Sequence, residues 1–503
     1  MSFRLLVSRG AAARAASPFR RGSFNMPLRA KLLDARIGPR SQMSTSPVTE
    51  TIKELPGDEP RDVAFSNLYG LRTIELNRPQ KLNSLNASMI RKILPRMVEW
   101  EKSDMANVVV IKGAGDKAFC AGGDVAALAE QNKQGPDGQQ ASVDYFALEY
   151  KLNHYIATYE KPYIAFMDGI TMGGGVGLSI HAPFRIATER TVFAMPETTI
   201  GFFPDVGASF FLPRMDGAIG TYLALTSDQL RGANVFYSGV ATHYLHSTSL
   251  PNLESRLAEL RFNDNDSMLK RLQIIDMTIE EYATGLPSNE PILLGGELRR
   301  AIDRCFSKDT VSDVILALKE EQGPTQAWAE KTLQTLHQRS PTSVYVTLKQ
   351  MQMGRDWSTP ISQVFKREHQ IAAQFMRHPD FVEGVSARLL SQQRPRPDPK
   401  WQPASLEVVN PEDRIEAPFF QGLPELELLT DRDYREYPYR SLGVPTEEEV
   451  KEIVLEASRT RREVIEYFVT RKNGKQGIST IVEEILSRKT TVDPSGKALW
   501  DFE

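Results

Sequence analysis

The feature that most limits what this chain can fold into is a glycine cluster directly after a short apolar run. The run is YIAFM at residues 163–167, and the cluster consists of Gly169, Gly173, Gly174, Gly175 and Gly177. A strand, a glycine turn and the start of a helix in this order leave backbone N–H groups free to face an anion, because glycine allows a close approach and the first N–H groups of a helix lack partners. The stretch at residues 161–205 therefore predicts an anion-binding turn.

The glycine motifs that bind nucleotide phosphates do not fit this cluster. A dinucleotide-binding fingerprint needs the spacing GxGxxG, and Leu178 stands where the third glycine would follow Gly173 and Gly175. A Walker loop ends in Gly-Lys-Ser or Gly-Lys-Thr, which this stretch lacks. A nucleotide phosphate is thus not favoured, and a turn that serves only tight packing stays open as an alternative.

A second glycine turn occurs earlier in the chain. The motif AFCAGGD at residues 118–124 follows VVVI at residues 108–111, a β-branched apolar run typical of a strand buried on both faces. Two backbone N–H donors that converge on one oxygen form an oxyanion hole, which stabilises the charge that develops on an acyl carbonyl under attack. The two turns together favour acyl chemistry over phosphate binding.

These motifs carry a resemblance to a known group of enzymes. KAFCAGGD at residues 117–124, GITMGGGVG at 169–177 and FAMPETTIGFFPDVG at 193–207 resemble the crotonase superfamily of acyl-CoA enzymes, and within it the 3-hydroxyisobutyryl-CoA hydrolase family. The similarity extends from about Asn77 to about Trp401. The resemblance implies an α/β fold, a crotonase-type spiral of repeated ββα units with a helical C-terminal region, and oxyanion donors at the N–H groups of Gly123 and Gly174.

Three carboxylates are candidates for the catalytic and substrate-binding groups. Glu197 and Asp205 lie in apolar surroundings, which raise the pKa of a carboxyl group and favour general-base catalysis near neutral pH. An ordinary turn or helix-cap role stays open for Asp205, and the pattern around Glu149 alone is typical of an exposed helical charge. The resemblance implies instead that Glu149, Glu197 and Asp205 all belong to the site.

The reaction that the resemblance implies is hydrolysis of the thioester of 3-hydroxyisobutyryl-CoA to 3-hydroxyisobutyrate and CoA, in mitochondrial valine catabolism. Glu197 would activate water or attack the carbonyl directly, with Asp205 as the second catalytic residue, and both routes stay open. Glu149, Gly174, Glu197 and Asp205 would bind the substrate, with Glu149 and Asp205 at its 3-hydroxyl group. Coenzyme A is part of the substrate, so no separate cofactor is expected. No metal is expected either, because the histidines show no HExxH or paired spacing.

One position argues against the nearest alternative reaction. Enoyl-CoA hydratases resemble this chain in the same glycine run but carry a catalytic glutamate where this sequence has Gly177. Without that acid, the addition of water across a double bond lacks one of its two proton-transfer groups. An enoyl-CoA hydratase or isomerase stays as an alternative, and a serine hydrolase is disfavoured because the sequence contains no GxSxG motif.

Composition and the N-terminal pattern indicate the compartment. The chain has 503 residues and a net charge of −3, which gives no overall nucleic-acid signal. Two cysteines, Cys120 and Cys305, cannot form a disulfide framework and favour a reducing interior. No apolar run approaches the ~18 residues that a membrane span needs. Residues 1–33 are rich in arginine with no acid before Asp34, which is typical of a mitochondrial transit peptide and predicts a matrix location.

The pattern along the chain predicts four parts. Residues 1–47 are predicted as a transit peptide or disordered, 48–266 as the crotonase core, 267–430 as the helical C-terminal part of the hydrolase, and 431–503 as a charged helical extension. Strands alternate with helices in the core, as in a mixed α/β fold with crossover connections. The sequence gives no oligomeric state.

The extension lies outside the resemblance to the hydrolases. Thr446 and Glu449 have the spacing of a capping box, and charged helices follow. Mixed charge of this kind is typical of a solvated face, yet helices appended to a complete enzyme also suit docking. Fungal relatives of the hydrolase family include components of the mitochondrial small ribosomal subunit, so its proteins and rRNA are predicted partners of residues 431–503. A mitochondrial hydrolase and a purely structural ribosomal protein on a crotonase fold both stay open, and the two roles are compatible.

Overall fold

The computed structural model describes residues 52–263, 265–287, 289–422 and 426–501. The predicted transit peptide at residues 1–47 lies outside the described residues, so the fold does not test it. Among the described helices, none is both long enough and apolar enough to cross a membrane.

The strands of the described residues form three sheets. They are β1 (Val63–Leu68), β2 (Leu71–Leu76), β3 (Val108–Gly113), β4 (Ala118–Cys120), β5 (Tyr163–Met167), β6 (Ile170–Met172), β7 (Phe184–Ala187), β8 (Val192–Ala194), β9 (Leu230–Arg231), β10 (His243–Tyr244), β11 (Thr490–Val492) and β12 (Ala498–Trp500). The large sheet has the order β1-β2-β3-β5-β7-β10, the second sheet β4-β6-β8-β9, and β11 pairs with β12. In the large sheet β1 is antiparallel to β2, and the strands from β2 to β10 are parallel.

Helices separate the strands and fill the second half of the chain. They are α1 (Ala87–Lys102), α2 (Val125–Asn132), α3 (Pro136–Ala157), α4 (Gly174–Ser179), α5 (Ala208–Phe211), α6 (Ile219–Thr226), α7 (Ala233–Tyr237), α8 (Leu250–Glu259), α9 (Met268–Glu280), α10 (Gly296–Phe306), α11 (Val311–Glu320), α12 (Gln326–His337), α13 (Pro341–Gly354), α14 (Ile361–Phe375), α15 (Pro379–Val385), α16 (Glu447–Glu456), α17 (Arg461–Arg471) and α18 (Ile478–Lys489). The region predicted to be helical after residue 267 therefore contains α9 to α15.

From β3 to β8, consecutive strands alternate between the two larger sheets, and this alternation forms the predicted spiral. β3, β5 and β7 are neighbours in the large sheet, whereas the strands that follow them, β4, β6 and β8, are neighbours in the second sheet. A helix follows twice, which gives β3-β4-α2 and β5-β6-α4. Because β4, β6 and β8 are parallel, their carboxyl ends meet at one edge and bring together loops from distant parts of the chain.

The β-branched run of β3 explains why the large sheet is buried on both faces. Val108 and Val110 pack with α8 and α9 in one core, whereas Val109 and Ile111 belong to the main core on the other face. Successive side chains of a strand point to opposite faces, so an unbroken apolar run suits a strand covered on both sides. The prediction of a doubly buried strand is confirmed.

The extension packs onto the rest of the chain. The capping box predicted at Thr446 and Glu449 begins α16. Apolar side chains of α16, α17 and α18 are buried in the main core: Val450, Val464, Phe468, Ile478 and Val482. These helices therefore bury one face each and belong with the body in the same compact unit.

Several charged side chains of the extension bind within the chain. Glu447 lies 2.6 Å from Arg299 and 2.5 Å from Arg488. Lys475 is buried, and its ammonium group donates to Leu442 O at 2.9 Å and to Asp276 at 3.1 Å. Some of these charged residues thus form buried ion pairs, although their mixed pattern is typical of a solvated face. A buried charge is tolerated only with a partner.

Candidate active site

The candidate site lies where the carboxyl ends of β4, β6 and β8 meet. β4 is followed by Gly123, β6 by Gly174 at the start of α4, and β8 by Glu197 in a short 3-10 turn. The parallel pairing of the three strands therefore places Gly123, Gly174 and the carboxyl group of Glu197 at the same edge of the second sheet. The two glycines are the predicted oxyanion donors, and Glu197 is the predicted catalytic base or nucleophile.

The two glycine turns approach each other so closely that a side chain does not fit between them. A Cβ atom on Gly174 would lie 3.2 Å from the backbone nitrogen of Gly123 and 2.5 Å from Oε1 of Glu149. A Cβ atom on Gly173, whose φ is +45°, would lie 2.9 Å from Oε1 of Glu197. The turns and two carboxyl groups thus surround one small space that only glycine leaves open.

The backbone amides at this space have no acceptor among the residues that the structure describes. Neither the N–H of Gly123 nor that of Gly174 donates a hydrogen bond to another described residue. Gly174 is the first residue of α4, so its N–H has no partner within the helix. Two unpaired amides from adjoining turns are available to one shared acceptor, which is the requirement for an oxyanion hole.

All three predicted acids are buried at this edge. Glu149 is 2% exposed, Glu197 6% and Asp205 4%, so the exposed position that the pattern around Glu149 suggests on its own is wrong. Oε1 of Glu149 and Oε2 of Glu197 have no hydrogen-bond partner among the described residues. Oδ2 of Asp205 accepts a hydrogen bond from the hydroxyl of Tyr150 at 2.6 Å.

Burial raises the pKa of each of the three carboxyl groups. The pKa values of Glu149 and Glu197 rise well above the usual range, first through burial and then through the negative charge of Asp205. The pKa of Asp205 rises to about 8 through burial, although its hydrogen bond from Tyr150 lowers it. Because the charges repel one another, the groups ionise one after another and the cluster retains protons near neutral pH.

Glu368 holds the turn that carries Asp205, and no pattern in the sequence indicates this role. Oε2 of Glu368 accepts from Gly207 N at 2.6 Å, and Oε1 accepts from Ser209 N at 3.0 Å and Ser209 Oγ at 2.6 Å. The turn needs support because Val206 has a φ of +54°, a left-handed conformation that a β-branched residue rarely adopts. Glu368 lies 161 residues from Gly207 along the chain, so local patterns do not reveal the pairing.

Replacing Glu368 by alanine should destabilise the protein. The substitution leaves Gly207 N–H and Ser209 N–H buried without an acceptor, at about 1–3 kcal/mol for each unsatisfied group. A chain of this size should then show a melting temperature lower by about 3 °C. Glu130→Gln, which alters an exposed acid, should stay within about 1 °C of wild type. An unchanged melting temperature in Glu368→Ala would contradict the assignment of Glu368 as the support of the turn.

Asn153 is a second residue that sequence reasoning missed. A Cβ atom on Gly177 would lie 2.9 Å from both Nδ2 and Oδ1 of Asn153 and 2.7 Å from Cβ of Val206, so the glutamate of the hydratases does not fit there without movement. Both amide atoms of Asn153 are buried without a partner among the described residues. Asn153 follows Glu149 by one helical turn on α3, and this spacing could have indicated it. An unpaired amide beside the carboxyl cluster is available to a polar group of a ligand.

The alternation of strands between two mostly parallel sheets, with buried carboxyl groups and backbone amides that lack acceptors among the described residues at the strand ends, defines a crotonase-type protein of mixed α/β fold. The chain belongs to the enoyl-CoA hydratase/isomerase family, which its residues 71–419 match. The predicted fold class is thereby confirmed, and α16 to α18 lie beyond the matched residues. Among the described residues, no group of three or more histidine, cysteine, aspartate and glutamate side chains is arranged to hold a metal ion.

The relatives include a ribosomal protein as well as enzymes. The chain is 57% identical over 499 residues to the small ribosomal subunit protein mS47 of Neurospora crassa, covering 96% of this chain and 97% of that protein. It is 42% identical over 355 residues to the mitochondrial 3-hydroxyisobutyryl-CoA hydrolase of Gallus gallus, covering 71% and 88%. The crystal structure of a carnitinyl-CoA dehydratase from Mycobacterium thermoresistibile is 33% identical, with a TM-score of 0.63 over 74% of this chain and 100% of that one. These relatives bear out the predicted resemblance and the predicted mitochondrial localisation.

Proposed function

We propose that this chain hydrolyses the thioester of 3-hydroxyisobutyryl-CoA, as an enzyme of mitochondrial valine breakdown. The observation that carries the proposal is the meeting of the unpaired amides of Gly123 and Gly174 with the buried carboxyl groups of Glu149, Glu197 and Asp205. The hydrolase of Gallus gallus, which matches this chain over most of its own length, supports the choice of substrate.

In the proposed reaction the thioester oxygen rests on the two amides, each of which lowers the barrier by about 3 kcal/mol. Glu197 takes a proton from the water that attacks the carbonyl carbon, the C–S bond of the resulting intermediate breaks, and the proton passes from Glu197 to the departing thiolate. In a second route a carboxylate oxygen of Glu197 attacks the carbon, and the C–S bond breaks to release the thiolate and leave an anhydride. Water then hydrolyses the anhydride, which regenerates Glu197 and supplies the proton that the thiolate takes up. Both routes consume one water and yield the free acid and CoA.

The polar groups that remain form the proposed site for the 3-hydroxyl group of the acyl chain. Glu149 and Asp205 provide carboxyl oxygens, and Asn153 adds an amide whose two polar atoms have no partner among the described residues. A pocket with such groups disfavours an acyl chain that lacks a hydroxyl, because the buried polar atoms would stay unpaired. The space beside Gly177 is filled by Asn153 and Val206, which disfavours the hydratase alternative.

A panel of acyl-CoA substrates tests the proposal. The rate of thiol release should give a kcat/KM for 3-hydroxyisobutyryl-CoA at least about 10²-fold above that for isobutyryl-CoA, because only the former satisfies the polar pocket. Hydration of crotonyl-CoA, followed by loss of its absorbance, should be slower than this hydrolysis. Faster hydration than hydrolysis would support the hydratase alternative, and no turnover of any acyl-CoA would support a purely structural role.

We further propose that the chain is a component of the mitochondrial small ribosomal subunit. The Neurospora crassa ribosomal protein matches 96% of this chain, a span that must include most of the extension beyond residue 419. Deletion of residues 431–503 would be a poor test, because the extension buries apolar side chains in the main core. Substitution of exposed side chains such as Arg462 and Arg471 is a better test. These side chains can contact rRNA phosphates and have no role in the core.

Sedimentation of a mitochondrial lysate tests the ribosomal proposal. The wild-type chain should co-sediment with small subunits on a sucrose gradient, and the double variant Arg462→Glu, Arg471→Glu should lower that fraction at least tenfold while hydrolysis continues. The matched control reverses two exposed charges on the body, Arg96→Glu and Lys133→Glu, and should co-sediment like wild type. Wild-type protein that stays at the top of the gradient would contradict the ribosomal role, and unchanged sedimentation of the first variant would contradict docking through α17.

A further inference from the structure

A cavity of about 280 Å³ lies between the body of the protein and the extension. The body contributes His181, Phe210 and Arg214 to its wall, and the extension contributes residues 436–446 and one face of α18. The extension segments lie beyond residue 419, where the match to the family ends. The cavity is therefore completed by a part of the chain that the family fold does not include, and it is separate from the carboxyl cluster of the candidate active site.

Arginines outnumber acids in the wall of the cavity. Five arginines and three acids line it, and three of the arginines, Arg185, Arg214 and Arg440, have only neutral partners among the described residues. Of the acids, Glu484 already pairs with Arg488 at 2.9 Å. The pKa of Asp216 rises to about 7 because the group is buried and lies near Glu447, so its charge is reduced near neutral pH. Arg299 and Arg488 both pair with Glu447, so the charges that an anion would balance are those of Arg185, Arg214 and Arg440.

Arg214 is the strongest candidate for an anion contact. Its guanidinium lies 3.7 Å from the ring centroid of Phe210 and 5.6 Å from that of Trp357, so aromatic rings cover it. One nitrogen, Nη1, donates to Phe210 O at 2.6 Å, whereas Nε and Nη2 have no acceptor among the described residues. Burial lowers the pKa of Arg214 to about 10, although the negative charge of Asp356 partly opposes the shift. The Nε and Nη2 edge of a guanidinium matches the two oxygens of a carboxylate.

We propose that this cavity binds a small carboxylate with an apolar or aromatic body, its carboxylate paired with Arg214 and its body packed against Phe210, Phe211 and Ile219. The volume suits a ligand smaller than most drug-sized molecules. A phosphate is disfavoured because the side chains of Phe210, Phe211 and Ile219 offer its remaining oxygens no hydrogen bond. The proposal concerns binding alone and does not depend on whether the chain hydrolyses acyl-CoA.

Isothermal titration of the full chain with 3-phenylpropionate tests the proposal. The carboxylate should bind once per chain with a Kd in the millimolar range or tighter, and the neutral 3-phenylpropionamide and inorganic phosphate should each bind at least tenfold more weakly. Ligand binding should also raise the melting temperature with increasing concentration. Equal affinity for the acid and its amide would overturn the proposal. The absence of binding at a ligand concentration of about 10 mM would overturn it as well.

Substitutions locate the bound carboxylate. Arg214→Gln should weaken binding at least tenfold. Trp357→Ala provides a second variant if the first does not fold. It changes a side chain of the cavity wall that is 44% exposed. Arg96→Gln removes an exposed arginine of α1, far from the extension in the chain, and should bind like wild type. Binding that neither Arg214→Gln nor Trp357→Ala weakens, or binding that Glu197→Gln weakens instead, would place the carboxylate elsewhere and refute the assignment.

Discussion

Replacing Glu197 by glutamine should reduce the hydrolysis of 3-hydroxyisobutyryl-CoA by about 10²–10⁴-fold, the contribution of a positioned general base. Glutamine has nearly the same shape but accepts no proton at the reacting atom. The melting temperature should not fall, because the variant removes a buried acid whose Oε2 has no partner among the described residues. Thiol release measured with saturating substrate, together with a thermal melt, gives both results. Glu99→Gln, a change of an exposed acid, should keep wild-type activity. Turnover of Glu197→Gln within threefold of wild type would contradict the proposed mechanism.

The pH profile should carry the signature of the same group. Glu197 acts only when ionised, and its pKa is raised by burial and by the charge of Asp205, so activity should rise with pH through a midpoint well above 4.5. Asp205→Asn removes one of these causes and should move the midpoint of the remaining activity to lower pH.

The free energy of unfolding should depend on pH in the opposite direction to the activity. A carboxyl group whose pKa is raised on folding stabilises the protein below its unfolded pKa, and for Asp205 this contribution disappears as the pH rises from about 4 towards 8.

Replacing Gly174 by alanine should reduce the catalytic constant by about 10²–10³-fold, as the loss of one oxyanion donor does in acyl-transfer enzymes. The added Cβ atom would lie 3.2 Å from the nitrogen of Gly123 and 2.5 Å from Oε1 of Glu149, which is the space that the thioester oxygen is proposed to occupy. Alanine is favourable in a helix, so the change acts mainly through this space and not through the backbone. The measurement is the rate of thiol release at saturating substrate.

Gly57 provides the matched control for this substitution. A Cβ atom on Gly57 has no neighbour within 4 Å, and the backbone there does not adopt the left-handed conformation that favours glycine. Gly57→Ala should therefore retain wild-type kinetics and stability. If Gly174→Ala retained full activity as well, the amides of Gly123 and Gly174 would not form the oxyanion hole.

Local patterns in the sequence predicted individual elements well. The β-branched run at residues 108–111 predicted a strand buried on both faces, and the structure has it in β3. Thr446 caps α16 through a side-chain bond to the backbone N–H of Glu449, as the spacing of the two residues predicted. These features depend on residues that are close together in the chain, so the local sequence is enough to predict them. The glycine motifs also indicated which turns belong to the site, although the roles of Gly123, Gly174, Glu149, Glu197 and Asp205 stay predictions.

The sequence by itself therefore determined the strands, caps and glycine turns, because each depends on the conformational preferences of neighbouring residues. Only the tertiary structure decided that Glu149 is buried beside Gly174, that Glu368 supports the turn after Asp205, and that the extension joins the main core. Apolar periodicity shows that one face of a helix is covered but not what covers it. A buried carboxyl group acquires its partners from strands and helices that are more than a hundred residues apart, and the pairing of those elements in space sets its pKa and its chemistry.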